Sequence, residues 1–125
     1  MTDNPTYEKA LAFAVRIVNL HKFLIEEQNE FIISKQILRS GTSIGANISE
    51  AISAESLADF IHKLTISLKE ANETTYWLTL LKRTEYLSDS QFQSIQTDCI
   101  EIRKILASII ITSKRKQKRN HKFKI

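Results

Sequence analysis

Apolar residues recur at three- and four-residue steps along four stretches of this chain, which is the period of an amphipathic α-helix. Before the first stretch, Asn4 and Pro5 have the residue types of an N-cap and a first helical position. The main stripe comprises Tyr7, Leu11, Ala14, Val18, His21 and Ile25, widened by Phe13, Ile17, Leu20 and Leu24. This helix is expected to end near residues 27–29.

The third and fourth stretches are equally regular. The third begins at Ser56 and carries the stripe Leu57, Phe60, Ile61, Leu64, Leu68, Ala71, Thr75, Leu78 and Leu81. Ser88 and Gln91 then have the spacing of a capping box. The stripe that follows comprises Phe92, Ile95, Cys99, Ile102, Leu106, Ile109 and Ile110. The fourth helix is predicted to run to about Ser113.

The second stretch allows two interpretations. Residues 39–51 read RSGTSIGANISEA and contain both glycines of the chain, a composition typical of a loop. Their period favours a helix, because Ile37, Gly41, Ile44 and Ile48 fall on one face. Each glycine costs about 1 kcal/mol in a helix, a cost that close approach of a second backbone can offset. A phosphate-binding loop is disfavoured, since no strand precedes the stretch and no Lys follows Gly45.

Four helices joined by short polar links near residues 29, 54 and 86 predict an all-α, antiparallel up-and-down four-helix bundle. Composition agrees, because two glycines and one proline in 125 residues are too few for a turn-rich β architecture. We assign the bundle to residues 1–113 and a basic tail to residues 114–125.

Charge is distributed unevenly along the chain. The formal net charge is +4, yet residues 114–125 hold seven basic residues and no acid, which leaves residues 1–113 with a net charge of −3. The tail is predicted to be disordered or to extend the fourth helix. It either solubilises the protein or contacts phosphates. The candidate nucleic-acid-binding residues are Lys114, Arg115, Lys116, Lys118, Arg119, Lys122 and Lys124.

Two motifs stand out in the second and third helical stretches. The first comprises Gln36, Leu38, Arg39, Ser43, Ile44, Asn47, Ile48 and Glu50. The second comprises Ser67, Leu68 and Glu70. These motifs resemble those of the small bacterial four-helix bundle proteins known as 23S rRNA intervening-sequence proteins, and the resemblance spans about Tyr7 to Ser113. The chain departs from the family pattern at Ala51, where many members have Gly, and at Gly41 and Gly45, where others often have Ala or Pro.

The resemblance implies a cytoplasmic bundle that assembles as a ring-like homopentamer. It also implies kinship with the accessory protein of diversity-generating retroelements, a basic bundle that binds nucleic acid and a reverse transcriptase. The family label describes genomic context and does not make the chain a ribosomal protein.

The sequence offers no catalytic or metal-binding constellation. His21, His62 and His121 are scattered, and no Glu-x-x-His pair of the kind used by di-iron bundles occurs. Cys99 lies on an apolar stripe and is expected to be a core residue. We therefore predict a protein that is not an enzyme and has no cofactor.

Polar and aromatic residues inside the helices are candidates for contacts between helices or subunits. Ser40, Ser43, Asn47 and Glu50 share a face, where they either fix the packing of neighbouring helices or form a subunit contact. Glu50 is expected to be partly covered, and Arg39 or Arg16 is the candidate cation to pair with it. Tyr76 and Trp77 lie off the core stripe, which favours a contact with another chain. The predicted contact set is Arg39, Gly41, Ser43, Gly45, Asn47, Glu50, Tyr76 and Trp77.

Together these features favour an oligomeric bundle that binds RNA or DNA without sequence preference or acts as an adaptor. The alternative is a protein–protein scaffold whose tail only confers solubility. No segment has the length and apolarity of a membrane span, and the N-terminus lacks the layout of a signal peptide, so a cytoplasmic location is expected.

Overall fold

The computed structural model describes residues 4–122 and contains four α-helices connected by short turns. Their bounds are α1 Pro5–Glu26, α2 Ile33–Ile52, α3 Leu57–Arg83 and α4 Asp89–Lys122. No strand occurs within residues 4–122. The predicted all-α four-helix fold is confirmed.

Side-chain caps begin three of the helices at the positions that the sequence indicates. Asn4 Oδ1 accepts a hydrogen bond from the Tyr7 backbone N–H at 2.9 Å, and Ser56 Oγ accepts one from the Asp59 N–H at 3.0 Å. Ser88 and Gln91 form the complete capping box, because each side chain accepts a hydrogen bond from the other residue's backbone N–H. The predicted caps at Asn4 and Ser88 are confirmed.

The helices follow one another around the bundle, so that each packs on its neighbours in the chain and α4 returns to α1. The first residue of α3, Leu57, lies beside Gln117, Asn120 and His121 near the end of α4, as an antiparallel pair requires. The contact between α1 and α4 is the thinnest of the four, and a surface groove of about 460 Å³ follows it.

The core is built from one face of each helix, and the α2 and α4 faces are close to those predicted. Ile37, Gly41, Ile44 and Ile48 are buried in α2. In α4 the buried apolar residues are Phe92, Ile95, Cys99, Ile102, Leu106 and Ile110. In α3, small polar Ser67 and Thr74 are buried where the predicted stripe had Leu68 and Thr75.

The core side of α1 is formed by the residues that widen the predicted stripe, namely Phe13, Ile17, Leu20 and Leu24. Leu11 and Val18, which the sequence placed in the main stripe, are 46% and 36% exposed, and Val15 beside them is 55% exposed. Because α1 is apolar on two sides, its sequence alone does not indicate which side faces the core.

The stretch of residues 39–51 is helical throughout, so the loop interpretation was wrong. Neither glycine has a positive φ. The helix also continues through the glycines without a kinking proline.

The fourth helix continues nine residues beyond Ser113, to Lys122. Of the two alternatives for the basic tail, the extension of α4 applies as far as Lys122. Residues 123–125 lie outside the described part of the chain. At about 1.5 Å per residue, the 34 residues of α4 extend about 50 Å.

Candidate functional site

The basic residues of the candidate nucleic-acid site are arranged on the last turns of α4. Lys114, Arg115, Lys116, Lys118 and Arg119 are all exposed. Lys122 is the last helical residue, and Lys124 lies outside the described residues. No ion pair found within residues 4–122 involves any of the five exposed cations. Their charges are therefore available to an external partner.

One side of this basic segment rests on the bundle. Ile110 and Ser113 are buried and Gln117 is half-buried, so every third or fourth residue continues the inward face of α4. Leu57 at the start of α3 lies beside Gln117. The bundle thus supports the first turn of the segment, whereas Asn120 and His121, the next residues on the same side of α4, are exposed.

The glycines of α2 allow α1 to approach closely. A Cβ added to Gly41 would lie 2.7 Å from Ile17 Cγ1 and 2.8 Å from Ile17 Cγ2, closer than real side chains tolerate. A Cβ on Gly45 would lie 3.5 Å from Ala10 Cβ, an ordinary van der Waals contact. Both glycines therefore lie at a helix contact within one chain.

The polar residues of α2 divide into two groups. Ser40 is fully buried, and its Oγ is hydrogen-bonded to Thr74 Oγ1 of α3 at 2.9 Å. Ser43 and Asn47 instead donate to backbone carbonyls of their own helix, at Arg39 and Ser43 respectively. Ser40 thus links two helices, as one of the sequence interpretations held, whereas Ser43 and Asn47 do not.

Arg39 pairs with two carboxylates of α3. Its guanidinium lies 3.3 Å from Glu70 Oε1 and also bonds Glu73. The hydrogen bond to Glu73 is the main cause that raises the pKa of Arg39. The pKa of Glu73 is lowered, first by the hydrogen bond that it accepts from Trp77 Nε1 and then by Arg39.

The expected pairing of Glu50 with Arg39 or Arg16 was wrong. Arg16 bonds Asp98 at 2.6 Å and donates to both the carbonyl and the Oγ of Ser94. Glu50 is exposed. Each arginine has a carboxylate partner on the helix that packs beside its own, α4 for Arg16 and α3 for Arg39, and sequence spacing alone does not indicate these partners.

Tyr76 and Trp77 form an aromatic pair on the outer side of α3. Their ring centroids are 4.9 Å apart and the rings meet edge to face at 74°. Trp77 is half-buried and anchored by Glu73, while Tyr76 is 59% exposed. This pair remains available to a second chain.

The titratable groups within residues 4–122 include one buried thiol, that of Cys99. Burial raises the pKa of the Cys99 thiol to about 12, so the nucleophilic thiolate is suppressed at neutral pH. Among residues 4–122, no cluster of three or more His, Cys, Asp or Glu side chains is placed to hold a metal ion.

Sequence reasoning missed the polar corner between α1 and α2. Glu30 is buried, and its carboxylate accepts hydrogen bonds from the Ile32 N–H at 3.1 Å and the Ser34 N–H at 2.7 Å. His21 Nδ1 lies 3.0 Å from the Ser34 carbonyl oxygen. Glu30 therefore caps α2 from outside the helix, at a position where the usual Ser, Thr, Asp or Asn signal is missing.

Fold and surface together define an antiparallel four-helix bundle whose last helix ends in a basic segment. The chain belongs to the 23S rRNA-intervening sequence protein family, which it matches over residues 2–108. The matched residues end before the basic segment.

A solved structure agrees with this membership. The chain is 66% identical to a protein of unknown function from the S23 ribosomal protein family of Bacteroides thetaiotaomicron, whose crystal structure was determined at 1.70 Å resolution. The TM-score is 0.85, and the match covers 88% of this chain and 98% of the other. A comparison with curated proteins found no match. No helix within residues 4–122 is long and apolar enough to cross a membrane.

Proposed function

We propose that this chain is a non-enzymatic, oligomeric bundle protein that binds nucleic acid through the basic end of α4, without reading sequence. The observation that carries the proposal is the group of exposed cations at Lys114, Arg115, Lys116, Lys118 and Arg119 on a helix that the bundle supports. No Asp or Glu follows Glu101 in the sequence, so no nearby acid offsets these charges. Cations of this kind bind phosphates and release condensed counterions.

The charge of the remaining chain supports the same contact. Residues 1–113 carry a net charge of −3, so most of the molecule is repelled by a polyanion. Only the C-terminal end of α4 attracts one. A protein with this asymmetry approaches nucleic acid in one orientation, as an adaptor requires.

The test is a pair of variants with equal net charge. One replaces Lys114, Arg115, Lys118 and Arg119 with Gln, and the other replaces the exposed Lys22, Lys35, Lys69 and Arg83, which make no ion pair within residues 4–122. Fluorescence anisotropy with a labelled oligonucleotide measures binding across salt concentrations. We expect the α4 variant to bind at least about tenfold more weakly at low salt and the control variant to bind nearly normally. Equal loss in both variants, or no binding by the native protein, contradicts the proposal.

Assembly is the second part of the proposal. It is supported by the row of Leu11, Val15 and Val18, which are 36–55% exposed on one side of α1, and by the exposed Tyr76 on α3. Light scattering should give a mass several times 14.4 kDa. Val15→Glu should lower that mass without unfolding the bundle, because Val15 is 55% exposed and its side chain can carry a charge at the surface. A monomeric native protein contradicts this part.

The same apolar surface favours a second candidate function, a scaffold that binds another protein and uses the basic segment only for solubility. If the chain is a scaffold, we expect the α4 variant to keep all its binding partners. It also predicts a complex that survives high salt, whereas a phosphate contact weakens steeply as salt rises.

A further inference from the structure

The basic end of α4 has the dimensions and charge placement of a helix that enters the major groove of duplex DNA. We propose that it binds double-stranded B-form DNA in this way and contacts the phosphates of both strands. The inference rests on the proposed nucleic-acid function and specifies its ligand. Three features of the described residues support it.

The first feature is the angular spread of the cations around the helix axis. At about 100° per residue, Lys114, Lys118, Arg115, Arg119 and Lys116 occupy successive positions across an arc of roughly 200°. Ile110, Ser113 and Gln117 lie on the remaining side and face the bundle, while Asn120 and His121 farther along that side are exposed. Cations therefore lie on both flanks of the exposed side. A single strand lying along the helix would meet one flank, whereas the two walls of a groove meet both.

The second feature is the fit of an α-helix to the groove. A helix with its side chains is about 10–12 Å wide, and the major groove of B-form DNA is about 12 Å wide. The major groove of A-form RNA is deep and narrow and does not admit a helix. Here one face of the helix packs on the bundle and the opposite face is exposed to solvent. Recognition helices that bind in the major groove have the same arrangement. Duplex DNA fits this surface better than duplex RNA.

The third feature concerns single strands. Proteins that hold single-stranded nucleic acid combine a basic track with aromatic side chains on which the bases stack. After residue 101 the sequence contains a single aromatic residue, Phe123, which lies outside the described residues. The exposed Tyr76 and the half-buried Trp77 lie on α3, and no described contact joins them to the basic segment. A basic helix with a single nearby aromatic ring is better suited to the phosphates of an intact duplex than to stacked bases.

The experiment compares three probes with the full-length protein by fluorescence anisotropy. The probes are a 20-base-pair DNA duplex of mixed sequence, a single-stranded oligo-dT of the same phosphate number and a 20-base-pair RNA duplex. We expect the DNA duplex to bind at least about tenfold more tightly than either other probe. Methyl green, which occupies the major groove, should compete with the protein, and the minor-groove ligand netropsin should not.

Two flank variants test whether both walls are contacted. K114Q/K118Q neutralises one flank and K116Q/R119Q the other, and Gln preserves helix propensity, which circular dichroism can verify. Each variant should reduce the slope of log K against log salt by about 1.8, because each phosphate contact contributes about 0.9 for B-form DNA.

The outcomes separate this inference from the function on which it rests. If no probe binds, the nucleic-acid function itself is wrong. Equal or tighter binding of the single strand or the RNA duplex overturns the duplex DNA assignment and leaves the function in place. A slope that changes in only one flank variant overturns contact with both strands, and competition by netropsin instead of methyl green overturns the major-groove position.

Discussion

Gly41 lies directly against Ile17, and a Cβ at position 41 would be only 2.7 Å from Ile17 Cγ1 and 2.8 Å from Cγ2. Both of these carbons branch from the Ile17 Cβ, and the side chain is fully buried. Rotation of χ1 therefore cannot move both away. The glycine is required by the packing of α1 on α2 and not by a turn or a ligand.

The two glycines should respond differently to alanine. Gly41→Ala should destabilise the protein by about 1–3 kcal/mol, because overpacking outweighs the gain in helix propensity. Gly45→Ala meets Ala10 only at 3.5 Å and should raise the free energy of unfolding by up to about 1 kcal/mol. Urea denaturation of both variants measures the difference.

A double-mutant cycle tests whether contact with Ile17 is the reason that alanine is unfavourable at position 41. In an Ile17→Ala background the space at position 41 is open, so Gly41→Ala should then cost far less than in the native protein. If its cost is the same in both backgrounds, the contact with Ile17 does not explain the requirement for glycine.

The extent to which sequence predicted this structure varied from helix to helix. In α2 and α4 one face is clearly more apolar than the others, so Ile44 and Leu106 were placed correctly in the core. In α1 both Ile17 and Val15 lie on apolar sides, and only the position of α2 decides that Ile17 is buried. The spacing of apolar residues indicates that a segment is helical. Where two faces of the helix are apolar, the spacing does not indicate which of them packs in the core.

In the candidate site, too, some features can be predicted from the local sequence, whereas others depend on residues far away in the chain. The cations of residues 114–119 follow from composition, because charges without partners remain exposed. The partners of Arg39 and Arg16 do not, since Glu73 and Asp98 are 34 and 82 residues away in the chain. Contacts over such separations depend on the packing of whole helices.

The buried hydroxyl pair between α2 and α3 is a second point where substitution should be costly. Thr74→Val keeps the shape of the side chain but leaves the fully buried Ser40 Oγ without its partner, which should cost about 1–3 kcal/mol. The double variant S40A/T74V removes both hydroxyls and should be more stable than T74V alone. The prediction fails if the double variant is the less stable of the two.

The Glu30 carboxylate should stabilise the start of α2. Glu30→Ala removes the acceptor of two backbone N–H groups, and we expect a loss of about 0.5–2 kcal/mol. Glu30→Gln keeps one acceptor oxygen and should lose less. Glu27→Ala, at an exposed position in the same connection, is the control. Hydrogen exchange of the Ser34 amide should accelerate in Glu30→Ala and remain unchanged in Glu27→Ala.

The buried thiol of Cys99 should make stability depend on pH in the alkaline range. An unfolded cysteine ionises near pH 8.5, whereas burial holds the folded thiol protonated until its pKa of about 12. Between these values the folded state binds more protons than the unfolded state, so the free energy of unfolding falls as pH rises. Relative to Cys99→Ala, the native protein should lose about 2 kcal/mol between pH 7 and pH 10, measured by urea denaturation at each pH. The comparison cancels the Lys and Tyr titrations common to both proteins and the pH-independent cost of the alanine cavity. A constant difference between the two proteins would show that Cys99 ionises as readily when folded as when unfolded.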